Sequence, residues 1–567
     1  MRDIICNPLN LDYKYQNRTL GKQRSLSREG ADPTMLLFKD TYLLFVSMSG
    51  GFWYSEDLVD WKFHETPELP AYDYAPDVRV VDGRVIFSAS RHTKCRFYSS
   101  TDPLNIPFEP LPENFAWWDP DIFQDDDGRV YFYWGCSTDP IKAVEIDRHT
   151  LKPLGKSQQV IAGHPEDHGW ERKGENNVVK KPVTHRDKVI KRFLGDGPFI
   201  EGAYMTKYNG KYYLQYAAPG TELNVYGNGV YVSNGPLGPF TYQSHNPFSS
   251  VPGGFMTAAG HGSTFMDKEG RWWHVATMLI GVNENFERRV GLFPCYFDGD
   301  GIMYCNQELA DYPFSVGTQE KTGWMLLNAS ARASSSQPGF EADKAADENV
   351  RTWWAAARTG KDQYLELDLG EIKTVNALQV NFADHMLSWN DKDLVKSITG
   401  GRKIYVKPQS TKYLLEGSAD GEDWTVLMDR RSSGTDLCND FFCLEEPLKL
   451  RYVRISEMEV PFDGVPAISG LRIFGTGNGE KPGIVEKLET KYEGDLNILL
   501  NWPAAENASR YNVRFGIAPD KLYGSWQVKE NHLNFSFVNK CEQYYFAVDS
   551  VNENGITPGS VIKACSP

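Results

Sequence analysis

Three acidic residues stand at matching places in this 567-residue sequence. Asp32 opens the run Asp32-Pro33-Thr34-Met35, Asp119 opens Asp119-Pro120-Asp121-Ile122, and Glu201 opens Glu201-Gly202-Ala203-Tyr204. Each leads into an apolar segment that reads as a strand. Two carboxyl groups on opposite faces of a sugar can split its glycosidic bond with inversion, one deprotonating water and the other protonating the departing oxygen. The base has to be ionised and the acid protonated near neutral pH, so their surroundings must push their pKa values apart. A third carboxylate beside the acid does this by like-charge repulsion. We assign Asp32 as the base, Glu201 as the acid, and Asp119 as the group that tunes and orients Glu201.

Residues so far apart in sequence share a pocket only if the fold repeats. A unit does recur: a polar opening residue, an apolar strand, a polar turn that usually holds Gly, and a second strand that is often aromatic. Copies open at Asp32, Asp77, Asp119, Glu201 and His261, at intervals of 45, 42, 82 and 60 residues. A four-stranded propeller blade takes roughly 40–50 residues. The long interval fits one blade plus an insertion near residues 164–181. The expected class is all-β, with a five-bladed β-propeller over residues 1–318. Each carboxylate would open the innermost strand of its blade and face the central axis. Asp77 opens a blade as well and is expected to turn toward the same axis.

The character of the sequence changes after about residue 320. Thr352-Trp353-Trp354, the alternating Tyr364–Gly370 run, Gly417–Gly421, Arg451–Ile455 and Gly470–Gly475 indicate a β-sandwich over 319–478. A linker bearing Gly and Pro follows at 477–482. Strands at 499–502, 511–515 and 544–551 indicate a second, smaller sandwich over 479–567.

Composition narrows the partners. The net charge is −15, which disfavours nucleic acid and anionic membranes and suits a neutral substrate. Aromatic residues reach 13%, which fits pleated surfaces and also rings that stack on sugars. No stretch approaches the roughly 18 apolar residues that cross a bilayer, so no membrane insertion is expected. The start, MRDIICNPLN, has no apolar leader segment. Nine widely spaced cysteines without a CxxC pair argue against a zinc site; most read as buried thiols, with Cys438 and Cys443 close enough to pair. A monomer is expected.

The carboxylate motifs, with Arg288 in Arg288-Arg289-Val290-Gly291-Leu292-Phe293-Pro294, resemble those of glycoside hydrolase family 43 across the whole propeller. The resemblance implies an inverting mechanism on furanose or pentopyranose substrates, with Asp32 as base, Asp119 as pKa modulator and Glu201 as acid. Asp119 rather than Asp121 takes the modulator role because it directly precedes Pro. The resemblance also implies that His261 touches an axial cation or its water shell and that Arg288 contacts substrate. Trp53, Trp118 and Trp170 are candidates to stack on sugar, as is Trp117, with the insertion carrying His164, Trp170 and Glu171 at the rim.

The segment with Asp347, Thr352-Trp353, Asp368-Leu369-Gly370, Ser418–Gly421 and Arg451–Arg454 resembles an F5/8 type C (discoidin-like) domain of the galactose-binding kind, as in family 32 carbohydrate-binding modules. That implies a structural calcium near Asp347, although Glu348 stands where the family has Gly. The last segment, marked by Trp502 and the Tyr511 and Tyr544 strands, resembles fibronectin type III. No cofactor is required for the chemistry. The expected function is an exo-acting α-L-arabinofuranosidase acting on oligo- or polysaccharide. β-Xylosidase, galactofuranosidase and galactan-directed activities are alternatives within the family, and a non-catalytic carbohydrate-binding protein is the alternative of another class. The attached modules lead us to expect a periplasmic or extracellular location.

Overall fold

The computed structural model describes residues 3–564 apart from 21–22, 70–73, 92, 180–196, 285, 391, 393, 397–401 and 406. Its described elements are β-strands and a few short 3-10 turns. Five antiparallel, four-stranded meanders come first. The first consists of Thr34–Phe38, Thr41–Phe45, Gly51–Ser55 and Lys62–Glu65. The others begin at Asp77–Val81, Asp121–Gln124, Glu201–Tyr208 and Thr257–Met266 and run outward in chain order. The five opening strands touch one another in sequence and the fifth meets the first, which closes the ring of a propeller.

Local chemistry explains the hairpins. Lys39–Asp40, Asp82–Gly83 and Asn209–Gly210 join first to second strands, and both residues of each pair have positive φ. Two-residue turns of that hand match the twist of the strands they connect. One detail departs from the sequence reading. Asp32 and Asp119 do not open their strands, which begin two residues later at Thr34 and Asp121. Both acids take left-handed backbone, φ 52° and 47°, and the Pro that follows each has no N–H to offer a ladder. Glu201 does open its strand, paired with Ala217.

The N-terminal segment latches the ring. Ile4–Ile5 pairs with Phe314–Ser315, the Leu9 N–H donates to the Val290 carbonyl, and the Asn7 side chain bonds both faces of Leu292. The hairpin Lys14–Leu20 and Gln23–Glu29 then extends into the second domain. Its first strand pairs with Arg402–Tyr405, which pairs in turn with Leu394–Lys396. One four-stranded sheet is therefore shared between propeller and sandwich.

The sandwich is an eight-stranded sheet whose long strands, Leu365–Phe382 and Asn439–Glu459, bend at bulges. The C-terminal unit is a second sandwich. It has a three-stranded and a five-stranded sheet whose inward residues, among them Leu500, Val513, Phe535 and Phe546, share one core.

Buried arginines fasten these units. Arg28 on the hairpin ion-pairs with Asp384 and, at 2.7 Å, with Asp436. Arg472 on the sandwich pairs with Glu348 (3.0 Å) and donates to the Asp311 carbonyl (2.7 Å). The insertion fastens the last unit. Gly169 N–H donates to the Val538 carbonyl, and Arg172 reaches the Leu496 and Ser536 carbonyls.

That insertion corrects two expectations. It docks the C-terminal sandwich as far as it is described, and Trp170 is fully buried there, its Nε1–H donating to the Tyr242 hydroxyl. Trp53 is 1% exposed, hydrogen-bonded to Asp12 and packed on Tyr13 and Phe63. Trp117 is buried against Phe97 and Phe132. A ring with both faces packed has none left for a sugar, so Trp53, Trp117 and Trp170 are core residues. The eight described cysteines, Cys438 and Cys443 among them, are free thiols; Cys565 lies outside the described residues.

Arg28 carries a prediction. Arg28→Met leaves Asp384 and Asp436 buried without their cation. Breaking such a buried pair costs roughly 3–5 kcal/mol. Denaturant unfolding should show a loss of that size, and calorimetry should show the sandwich transition separating from that of the propeller.

Candidate active site

Asp32, Asp119 and Glu201 converge at one mouth of the ring around a single imidazole. His261 Nδ1 lies 3.4 Å from Asp32 Oδ1 and 3.6 Å from Asp119 Oδ2. Oxygens of Asp119 and Glu201 and the sulfur of Cys136 all lie within 4.8 Å of one another. Asp32 and Asp119 are buried; Glu201 and His261 are half-buried. Backbone shape makes the meeting possible. His261 sits at a bulge in its strand with φ 32°. Gly202, at φ 64°, leaves the space beside it: a Cβ there would fall 2.8 Å from His261 Cγ.

Each acid has its own hydroxyl or thiol partner. The Ser47 hydroxyl donates to Asp32 Oδ2 (2.7 Å), the Ser90 hydroxyl to Asp119 Oδ1 (3.2 Å), and the Cys136 thiol to Glu201 Oε2 (3.1 Å). These three residues are equivalent. Each stands two positions past the end of the second strand in blades one, two and three, which end at Phe45, Ser88 and Trp134. The Tyr226 hydroxyl donates to the other Glu201 oxygen. Gly202 N–H adds a bond to Asp119 Oδ2 (3.2 Å), and Asp32 N–H is held by Thr277 Oγ1 (2.8 Å).

Burial shapes the electrostatics of Asp119. Burial pushes its carboxyl up from 3.8 to about 7, with Glu201 and Asp32 adding to the rise and His261 opposing it. Burial, with Asp119 and Glu201 beside it, also pushes the Cys136 thiol well up. Arg288 lies 3.5 Å from Asp32, but its main partner is the buried Glu29; its Nη1 also donates to Thr221 (2.9 Å).

The remaining sequence candidates divide. Asp77 faces the axis with Arg79 and Asp121: Arg79 donates to Asp121 (2.7 Å) and stacks on Tyr204, and Asp77 accepts the Ile122 N–H (2.8 Å). These groups tie the blades together instead of joining the trio. Trp118, next to Asp119 in the sequence, is half-buried. Sequence reasoning missed Ser47, Ser90, Cys136, Tyr226 and Glu29. The first three carry a readable signal in their common offset from the second strand; Tyr226 and Glu29 carry none.

For a cation, His261 spends its Nδ1 edge on two carboxylates and has one nitrogen left for an ion or its water. Asp347 fits calcium less well. Its oxygens accept the Asn349 N–H (3.1 Å) and the Thr352 hydroxyl (2.6 Å), while Glu348 turns away to Arg472. One engaged carboxylate does not make the six-to-eight-oxygen cage that calcium takes.

Two segments of the chain match known families. The model of glycosyl hydrolases family 43 matches residues 25–303, and that of the NedA-like, galactose-binding domain matches 344–455. A beta-xylosidase of Xylanibacter ruminicola is 33% identical over 131 residues, 22% of this chain and 39% of that protein. A xylosidase/arabinosidase 43A of Humicola insolens is 27% identical over 266 residues, 42% of this chain and 76% of that protein. An arabinoxylan arabinofuranohydrolase of Bacillus subtilis is 28% identical over 166 residues, 27% of each. A solved thermostable family-43 glycoside hydrolase is 22% identical with a TM-score of 0.40, covering 53% of this chain and 95% of that one. The ring of blades that gathers Asp32, Asp119, Glu201 and His261 is a glycosyl hydrolase family 43 domain, and the sandwich that follows it is a galactose-binding domain.

Proposed function

We propose that the protein is an inverting, exo-acting glycoside hydrolase that removes terminal α-L-arabinofuranosyl groups from oligo- or polysaccharides. The observation that carries the reading is the convergence of three carboxylates on His261. A non-catalytic sugar-binding propeller has no need of three such acids in one pocket. β-Xylosidase activity is the second reading, favoured by the xylosidase names of the Xylanibacter and Humicola relatives.

In this reading Asp32 accepts a proton from the attacking water. It is suited to this by the Ser47 hydroxyl that donates to it and by the positive charge of Arg288 3.5 Å away. Glu201 delivers a proton to the leaving oxygen from the other side of the sugar. Cys136 and Tyr226 each hold one of its oxygens, so its orientation is fixed from both ends. Asp119, its carboxyl raised by burial, stands between His261 and Glu201 and fixes the local charge.

Asp32→Asn and Glu201→Gln should each lower kcat by roughly 10²–10⁴-fold, with melting curves intact. Near wild-type turnover in either variant sinks the assignment. Proton NMR of the first-formed sugar should show an inverted anomer, and retention would instead require a covalent intermediate. A panel of para-nitrophenyl arabinofuranoside, xyloside and galactofuranoside separates the two substrate readings.

Cys136→Ala should lower kcat about tenfold with little change in KM, a loss of roughly 1.4 kcal/mol in the transition state, and Cys136→Ser should restore most of it. Equal damage by both variants would mean the thiol acts only by packing.

Asp119 gives a pH prediction. Its folded-state pKa lies above its ordinary value, so between about pH 4 and 7 the folded protein holds a proton that the unfolded chain releases. Stability from this group is present at low pH and is lost as pH rises through 7. Asp119→Asn removes that loss, so its melting temperature should gain on wild type from pH 5 to pH 8. A constant gap across that range would refute the raised pKa.

A further inference from the structure

Three consecutive residues of the insertion, Glu175–Asn177, each hold a different unit of the protein. Glu175 accepts from Arg351 of the galactose-binding domain (2.7 Å). Asn177 accepts from the Ser536 hydroxyl of the C-terminal sandwich (2.8 Å). Asn176, between them, meets the propeller. Its N–H donates to Asn224 Oδ1 (2.9 Å), and its Oδ1 accepts from Asn224 Nδ2 (2.8 Å). Asn176 and Asn177 both take left-handed backbone, φ 53° and 57°. Such conformations cost energy, persist only where surrounding contacts hold them, and gather at functional sites.

Asn224 lies in a propeller loop that touches catalytic residues at both ends. Thr221, three residues before it, accepts from Arg288 (2.9 Å), and Tyr226, two residues after it, donates to Glu201. The stretch between is short and internally bonded. Leu223 N–H donates to the Gly220 carbonyl and Tyr226 N–H to the Leu223 carbonyl, both at 3.1 Å. Asn224 is 8% exposed, and besides its two bonds to Asn176 its side chain donates to the Pro252 carbonyl (2.9 Å). Its N–H donates to Glu175 (3.3 Å). Most of the bonds that anchor Asn224 therefore come from the insertion. A buried amide satisfied in this way holds the chain on either side of it in place.

We infer, on the proposed role of Glu201 as acid, that Asn176 is a positioning residue for proton delivery: through Asn224 it sets the place of Tyr226, and so the direction in which Glu201 presents its proton. Misplacement by about 1 Å can cost roughly 10²-fold in rate. Cys136 holds the other Glu201 oxygen from blade three, so a shift of Tyr226 turns the carboxyl without releasing it. The Asp32 side is held apart from this loop, because the main partner of Arg288 is Glu29. The effect is thus confined to protonation of the departing oxygen. A phenyl glycoside needs that proton, whereas a dinitrophenolate leaves without it.

The test uses the full-length chain and aryl glycosides of the sugar that the panel selects. Asn176→Gly keeps the left-handed turn, which glycine adopts freely, and removes the oxygen to which Asn224 donates. Its kcat should fall about tenfold on the phenyl glycoside and less than about twofold on the dinitrophenyl glycoside, with KM steady on both. Asn176→Asp keeps the oxygen and tolerates the backbone, so it should recover most of the loss. Tyr226→Phe should lose at least as much as Asn176→Gly, and combining the two should cost nothing further, because effects that run through one path do not add. An equal fall on both leaving groups would mark a loss of packing alone and overturn the inference, and so would losses that multiply in the double variant. Wild-type cleavage with Asn176→Gly unchanged on the phenyl glycoside overturns the positioning role and leaves the hydrolase reading standing. A wild-type chain that cleaves no glycoside removes that reading and the positioning role with it.

Discussion

Three carboxylates cannot share a buried pocket unless something opposes their repulsion. Two like charges about 4 Å apart repel by roughly 4 kcal/mol at an effective dielectric of 20. Here Asp119 and Glu201 oxygens lie within 4.8 Å, and Asp32 is joined to Asp119 through one imidazole. At the centre His261 opposes the rise at Asp119. The shift of Asp119 toward 7 is the remainder that burial imposes. Arg288 does less than its charge implies, because Glu29 takes most of it. The pocket is therefore a balanced arrangement in which a change at any one member is felt by the others.

That balance dictates the backbone. Asp32, Asp119 and His261 all have positive φ, a conformation that costs energy for side chains with a Cβ and persists only where surrounding structure holds it. The closed ring does the holding. The offset of Ser47, Ser90 and Cys136 from their second strands shows how economically it does so, since one repeated position supplies each donor, to the acid of its own blade for Ser47 and to that of the next blade for Ser90 and Cys136. Asp77, Arg79 and Asp121 extend the polar lining along the axis and tie neighbouring opening strands together, which keeps the mouth from spreading.

The sequence disclosed the parts that are periodic. The five units, the order of the acids, the place of His261 and the shift to sandwiches after residue 320 all follow from repeat phase and turn chemistry. The two-residue delay in strand onset after Asp32 and Asp119 was legible in principle from Pro33 and Pro120. The tryptophans were misread because composition does not report facing: Trp53 and Trp170 are as aromatic in a core as on a sugar platform, and only the packing of Tyr13, Phe63 and Tyr242 decides. The insertion was placed correctly but given the wrong partner, because its docking on Val538 and Ser536 joins residues more than 350 apart. Glu29 was invisible for the same reason, since it matters only through an arginine at the far end of the propeller.

The same long-range bonds bear on how specificity arises in this chain. A binding module on a flexible tether adds affinity for polymer but has no influence on which bond is cut. This sandwich is not tethered in that way. It shares a sheet with the propeller, and Arg28 and Arg472 bury ion pairs and hydrogen bonds across the join. Asp436, Tyr405 and Arg472 are therefore held at fixed positions relative to the propeller.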